Sequence, residues 1–307
     1  MPDLRAAFGT RSKADEPLAR YTSARVGGLA DYVATAESAA DLAELVSTAW
    51  GVGIEPVLLG GGSNVLVSDA GVRGLVIINR ARAIEFRQLG ARPSVWAESG
   101  ANLGLLARQC TARGLGGLEW AATVPGTVGG AVFGNAGAHG GDLAGNLLVA
   151  AILQHDGRVE QWGPSELAFA YRTSRLKQAK TDGQPLIVLG AELALTVGEP
   201  AALQAQVEQY VAHRKRTQPP GASLGSMFKN PPGDYAGRLI EAAGLKGARL
   251  GQVEISTLHA NFFVNLGEAR AADVFALIHQ AHAAVLDQFG VDLELEVELI
   301  GDWTGTC

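Results

Sequence analysis

The sequence is poor in several features that would each fix a function class. It has two cysteines, Cys110 and Cys307, too few for a disulfide framework and not clustered as metal ligands, so a reducing compartment fits. No apolar run reaches the roughly 20 residues that a membrane helix needs, and the N-terminal MPDLRAAFGTRSKADEP lacks the apolar stretch of a signal peptide. A soluble, cytoplasmic protein is expected, with no membrane partner. Positive charge is not in excess: a formal net charge of −6 leaves no electrostatic footprint for nucleic acid. The histidines at 139, 155, 213, 259, 279 and 282 show no HxxxH spacing, so no metal site is expected. No GxxxxGK[ST] loop is present, which argues against a nucleotide triphosphatase.

What the chain has in excess is glycine, 40 in 307 residues against an average near 7%. They are concentrated without a period. Ten fall in GLGGLEWAATVPGTVGGAVFGNAGAHGG (114–141), and Gly60-Gly61-Gly62 cluster earlier in the chain. The first of these in the chain joins PVLLG to NVLVSD, strand to strand, and Gly60 and Gly62 are followed by Val65 where a Rossmann fingerprint has its third glycine. Two readings of GGGS stand: a plain hairpin turn, or a nest of N–H groups for phosphate helped by Ser63 and Asn64. The second cluster, with Pro125, Gly126, Thr127, Gly129 and Gly130 and then Asn135 and Gly137, again offers small residues and free N–H groups. Two such surfaces suit one long flat ligand with a pyrophosphate and a ring system, for which FAD is the natural candidate.

A chain of this length with 47% hydrophobic residues can bury two or three domains. ADYVAT reads as a strand; Ser38 and Asp41 form a capping pattern before Leu42, Leu45, Val46 and Ala49 at helical spacing. PVLLG, NVLVSD and GLVIIN read as strands, and Asn102 to Arg113 as a helix stopped by Gly114. Strands around 147–162 and 186–196 bracket ELAFAYRTSRLK. A helix from about Ala201 to Arg214 follows, ending in the basic run His213 to Arg216, which by default complements the helix dipole. Pro219-Pro220-Gly221 is the best linker. Beyond it, DYAGRLIEAAG is a helix, HANFFVN a strand, Glu268 to Phe289 a helix, and VDLELEVELIG a strictly alternating final strand with Asp292, Glu294, Glu296 and Glu298 on one face. That face is either solvated or turns one carboxylate into a cleft.

In order, TSARVGGLADY, LLGGGSNVLVSDAGVRGLVI, GLEWAATVPGTVGGAVFGNAGAHGGD, FAYRTSRL, RTQPPGASLGSMFKNP, AGRLIEAAGLKG, HANFFVN and LELEVELIG resemble the blocks of the UDP-N-acetylenolpyruvoylglucosamine reductase family, from about residue 20 to 301. The short stretch from 221 to 301 is similar to the compact type that lacks a tyrosine lid loop. The resemblance implies an α+β fold: a two-part FAD-binding domain of the PCMH/vanillyl-alcohol-oxidase type over 1–206 (subdomains about 1–78 and 79–206), then a smaller α+β substrate-binding domain over 207–307. It implies a monomeric flavoenzyme with non-covalent FAD and NADPH as co-substrate, reducing a UDP-sugar enolpyruvate in peptidoglycan synthesis, cell wall biogenesis, cell shape and division. By the resemblance Ser226 is the proton donor, Arg172 pairs with the substrate carboxylate, Glu296 completes the catalytic set, and Tyr171, Lys229 and Asn230 contact substrate. The chain departs from the family pattern at Glu298, where a basic residue is often found, and at Leu295, often proline. Two alternatives stand beside this: an FAD-dependent oxidase or dehydrogenase of a sugar or hydroxy acid, and a flavin- or UDP-sugar-binding module without turnover.

Overall fold

The computed structural model describes residues 4–89 and 92–304; Cys307 lies outside them. The chain forms two compact units. One comprises the segment ending at Ser12 with Ala34–Gly61 and Leu75–Arg214; the other comprises Lys13–Val33, Gly62–Gly74 and the segment from Lys215 onward. The strands Ser12–Pro17, Leu29–Ala36 and Val72–Asn79 and the helix Pro200–Thr217 each span one boundary between the units, and a fifth boundary falls within the glycine triplet, between Gly61 and Gly62. The expected division at 206/207 falls inside the helix Pro200–Thr217.

In the first unit a five-stranded antiparallel sheet carries Val159–Trp162, Leu147–Leu153, Ile187–Ala194, Arg92–Glu98 and Ile84–Leu89 in that order. The last two strands have no counterpart in the sequence reading. Val95, Leu106, Val132, Ile152 and Leu193 share its core, and a fully buried side chain of this kind contributes about 1.5–3 kcal/mol. The helix Ala39–Gly51 starts where expected because Ser38 Oγ accepts from Asp41 N–H at 3.1 Å, and its buried face holds Leu42, Leu45, Val46 and Ala49. Asp41 returns the cap one residue earlier than a capping box would, accepting from Glu37 N–H at 2.8 Å. The second glycine cluster contains a short helix, Val128–Gly134, where the sequence shows only loop chemistry. Cys110 is buried in the helix Leu103–Thr111 and burial pushes its thiol up to about 12, so it is chemically inert.

The second unit has a four-stranded antiparallel sheet in the order Ala222–Ser226, Phe262–Asn265, Val253–Ile255, Arg249–Leu250, with helices Ala236–Ala242 and Ala271–Phe289 contributing to the same core. The long helix begins at Ala271, three residues after the expected Glu268, because the Asp69 carboxylate accepts from Ala271 N–H (2.8 Å) and Ala272 N–H (2.9 Å). That cap comes from a distant part of the sequence, which local spacing cannot reveal. The closing strand is shorter than its alternation predicts: only Glu298–Ile300 forms a ladder, parallel to Val65–Val67. Residues 291–297 stay outside it, touching the chain at 227–229 through a bridge between Leu295 and Phe228. Alternation reports where side chains point and not whether a partner strand is long enough to pair.

Candidate active site

The two glycine clusters meet inside the first unit. A Cβ on Gly60 would lie 2.4 Å from Thr127 Oγ1, and one on Gly61 would lie 2.9 Å from Gly126 Cα, so only glycine lets these loops touch. On the other side of the division, a Cβ on Gly62 would sit 2.0 Å from the Tyr21 carbonyl oxygen, and its φ of +58° is left-handed. A hairpin is excluded: Val57–Leu59 pairs with Val72–Asn79, whereas Val65–Val67 pairs with Glu298–Ile300. Among the described residues no backbone carbonyl accepts from the N–H groups of Gly61, Gly62 or Ser63. Asn64 is committed within the second unit, its Nδ2 donating to Glu296 O at 3.0 Å.

The second cluster is stitched to residues 99–103 through Gly129 N–H to Ser99 O (2.8 Å), Val128 N–H to Ala101 O (2.9 Å) and Leu103 N–H to Gly126 O (3.2 Å). Gly129 must be glycine because a Cβ would sit 2.8 Å from Ser99 Cβ, while Pro125 and Gly130 are exposed. Thr127 caps the short helix, with Gly130 N–H 3.5 Å from its Oγ1. Asn135 is buried in the left-handed position that ends this helix, and its side chain bonds Ala170 O (3.1 Å), Asp142 Oδ2 (3.3 Å) and Ala144 N–H (3.0 Å). It therefore sets the course of the chain into Gly137, its amide already used by the protein. Flanking the loop, His139 Nε2 lies 3.3 Å from Thr123 Oγ1, its ring stacks on Tyr210 at 4.1 Å, and Arg214 donates to the Thr123 carbonyl. Arg214 thus turns back onto the loop instead of only complementing its own helix end. Burial, with His213 and Arg214 nearby, pulls the His139 pKa down.

Arg172 and Tyr171 occupy the centre of a tight turn closed by Ala170 and Thr173, which exchange two backbone bonds of 3.2 Å. Arg172 has φ +56°, a conformation that costs a non-glycine residue about 1–3 kcal/mol and gathers at functional sites. Its Nη2 donates to Gly137 O at 2.9 Å, and its guanidinium carbon lies 5.4 Å from the centre of the Tyr171 ring, which is 54% exposed. Buried Ser174 anchors the turn by donating to Phe133 O at 2.6 Å, so YRTS is fastened to the helix of the second glycine cluster.

In the second unit, Ser226 ends its strand beside Gly225 at φ +80°, where the register with Phe262–Asn265 shifts. Its hydroxyl makes no hydrogen bond among the described residues. The next residues are gripped from two sides. Buried Asn261 accepts from Met227 N–H on its carbonyl (2.8 Å), accepts from Phe228 N–H on Oδ1 (2.9 Å) and donates from Nδ2 to Phe228 O (2.8 Å). On the other side Lys229 N–H donates to Glu294 O and Glu296 N–H to Met227 O, both at 2.8 Å. The Lys229 ammonium pairs with Glu294. Glu296 and Glu298 are half-buried where Asp292 and Glu294 are exposed, so the acidic face is not uniformly solvated. Asn230 Oδ1 accepts from Ala236 N–H (3.1 Å) at the start of the helix Ala236–Ala242, a structural duty that its motif does not advertise. Asn261 was missed by the sequence reading, although a polar residue inside HANFFVN is a signal that could have found it.

Residues 216–300 match the family model described as UDP-N-acetylenolpyruvoylglucosamine reductase, C-terminal domain, and residues 30–162 match the FAD binding domain. The chain is 46% identical over 286 residues (93% of this chain, 96% of the relative) to UDP-N-acetylenolpyruvoylglucosamine reductase of Chloroflexus aurantiacus. It is also 46% identical over 291 residues (95% and 96%) to the protein of that name from Rubrobacter xylanophilus. Among solved structures it is similar to UDP-N-acetylenolpyruvylglucosamine reductase from Thermus caldophilus, with a TM-score of 0.77, 36% identity, and coverage of 94% of this chain and 97% of that one. The fold class is α+β, an FAD-binding domain of the PCMH/vanillyl-alcohol-oxidase type followed by a smaller α+β C-terminal domain.

Proposed function

The chain belongs to the UDP-N-acetylenolpyruvoylglucosamine reductase family, and we propose that it catalyses the NADPH-dependent reduction of UDP-N-acetylglucosamine enolpyruvate to UDP-N-acetylmuramate, a step of peptidoglycan precursor synthesis. The observation that carries this reading is the segment 226–230, where a serine hydroxyl that makes no hydrogen bond among the described residues adjoins backbone held by Asn261 and by the chain around Glu296.

The loops fit the cofactor. Gly60 and Gly61 lie against Gly126 and Thr127, with N–H groups at 61–63 that no backbone carbonyl uses among the described residues and, at Gly130, nothing nearer a Cβ than Thr127 Oγ1 at 3.7 Å. Gly60 to Asn64, and Pro125 to Gly137, would hold FAD without a covalent bond. When bound, FAD supplies hydride transfer, taking two electrons from NADPH and delivering them to the terminal vinyl carbon. Hydride addition there leaves negative charge that the adjoining carboxylate delocalises, so the protein must stabilise an enolate and give one proton. Arg172 pairs with that carboxylate through its planar guanidinium. Ser226 Oγ gives its proton to the carbon next to the carboxylate, completing addition across the double bond, and regains one from water. Glu296, in its protonated form, hydrogen-bonds the same oxyanion. Tyr171, Lys229 and Asn230 contact the rest of the substrate, Asn230 while capping its helix.

In this reading residues 1–206 bind FAD and residues 207–307 bind substrate, which the matched ranges 30–162 and 216–300 support. It has a monomer acting in the cytoplasm and serving cell shape and division; no helix among the described residues is long and apolar enough to cross a membrane. The test is an anaerobic absorption spectrum. Bleaching of the flavin band by NADPH, followed by its return when the enolpyruvyl UDP-sugar is added, is expected. Bleaching without return would reject the substrate, and the absence of a flavin band after FAD is supplied would reject the cofactor.

A further inference from the structure

The clasp on residues 227–228 has a second tier that the proposed chemistry leaves unused. Asn261 is itself held by His259, whose Nδ1 accepts from Asn261 N–H at 3.3 Å. His259 sits in a closed turn: Ser256 Oγ accepts from Leu258 N–H (3.1 Å) and His259 N–H (3.3 Å), Phe262 N–H donates to His259 O (2.9 Å), and Ser256 N–H donates to Phe262 O (2.8 Å). The imidazole is packed between Phe262, 4.9 Å between ring centres, and the helix Ala236–Ala242, where a Cβ on Gly237 would come within 2.9 Å of His259 Cε1. Gly237, the first glycine of AGRLIEAAG, is therefore required by the ring. Nδ1 can accept only in a tautomer that leaves it unprotonated. Burial holds the His259 pKa below its ordinary value, which favours the neutral ring, and the charged groups acting on it, Lys246 and Glu241, are paired with each other at 2.8 Å.

We propose that His259 is a positioning residue for Ser226, its Nδ1 acceptor fixing Asn261 and through it the backbone at Met227 and Phe228 from which the serine hydroxyl is aimed. The inference rests on the reading of Ser226 as proton donor. It concerns a bonded chain of contacts within one unit, from the 256–262 turn through Asn261 to the segment that also pairs with Glu296. A donor displaced by about 1 Å can lose up to 100-fold in rate, so a single acceptor distant from the chemistry is enough to matter.

The two polar, uncharged replacements of His259 separate the acceptor from mere bulk, because the Oδ1 of asparagine falls where Nδ1 stands and the Oε1 of glutamine falls where Nε2 stands. In the full-length flavoprotein, His259→Gln is expected to slow return of the flavin band on addition of the enolpyruvyl UDP-sugar by about 10- to 100-fold, with bleaching by NADPH unaltered. Amide exchange at Met227 and Phe228 should quicken in parallel. His259→Asn should stay within about threefold of the unsubstituted protein in both readouts. Equal behaviour of the two variants, or equal slowing of bleaching and return, overturns the proposal. If the unsubstituted protein never shows return of the band, it is the substrate reading that fails, and the exchange contrast between the two variants still decides whether His259 fixes the clasp.

Discussion

In the first unit the loops at 60–61 and 126–129 are placed by close approach at glycine, Gly61 meeting the Gly126 backbone, Gly60 the Thr127 side chain and Gly129 Ser99 at distances that leave no room for a Cβ. In the second unit the segment 226–230 is placed by hydrogen bonds, those of the Asn261 side chain on one edge and backbone bonds to the chain at 294–296 on the other. On the proposed roles, the difference follows from what each has to present. A loop that offers N–H groups to an anion works best with nothing between backbone and ligand, whereas a hydroxyl that must give up a proton has to be aimed, which takes a rigid support of satisfied hydrogen bonds.

The contrast breaks most visibly at the aimed residue. Ser226→Ala is expected to slow return of the flavin band by 10²–10⁴-fold, the usual contribution of general acid catalysis, while bleaching by NADPH proceeds; rapid-mixing absorbance under anaerobic conditions separates the two. On the side-chain scaffold, Asn261→Ala leaves Phe228 N–H and C=O orphaned beside a small cavity. A loss of about 1–3 kcal/mol per orphaned group in urea unfolding is expected, together with slower reoxidation. On the backbone scaffold, Gly61→Val drives a side chain into Gly126 and should lower stability by about 1–3 kcal/mol, and its more telling effect is purification with less bound flavin, read from the ratio of flavin to protein absorbance. If Gly61→Val retained full flavin content while Asn261→Ala lost it, the division of labour drawn here would be reversed.

The smallest expected effect is on pH dependence. His139 in one unit and His259 in the other both have pKa values lowered chiefly by burial. The unfolded chain therefore takes up protons at higher pH than the fold does. Stability from these two groups is complete above the unfolded value, about 6.5, and is lost as pH falls from there through their folded values. Melting temperature should decline across that window, less steeply in His259→Asn and in His139→Asn, and the two variants apportion the effect between the units.

Much of this was legible from the chain alone. Helix faces such as Leu42, Leu45, Val46 and Ala49 follow from spacing, and Ser38 marks its helix start by chemistry that reaches only three residues. The proposed site rests on ordered motifs, because FAYRTSRL and SLGSMFKNP combine residue types that packing alone does not demand. The final strand was overextended because alternation carries no information about the length of its partner, and the start at Ala271 was missed because its cap, Asp69, lies far away in sequence. The order of residues sets the kinds of groups available: glycines without bulk, a serine, an arginine, alternating acids and no cluster of cysteines. It took folding to bring the two glycine clusters into touch, to hold Arg172 left-handed against Gly137 O, and to stand His259 behind Asn261. Those are contacts between residues remote along the chain or fixed by packing around them, and their energies exist only once the backbone has closed around them.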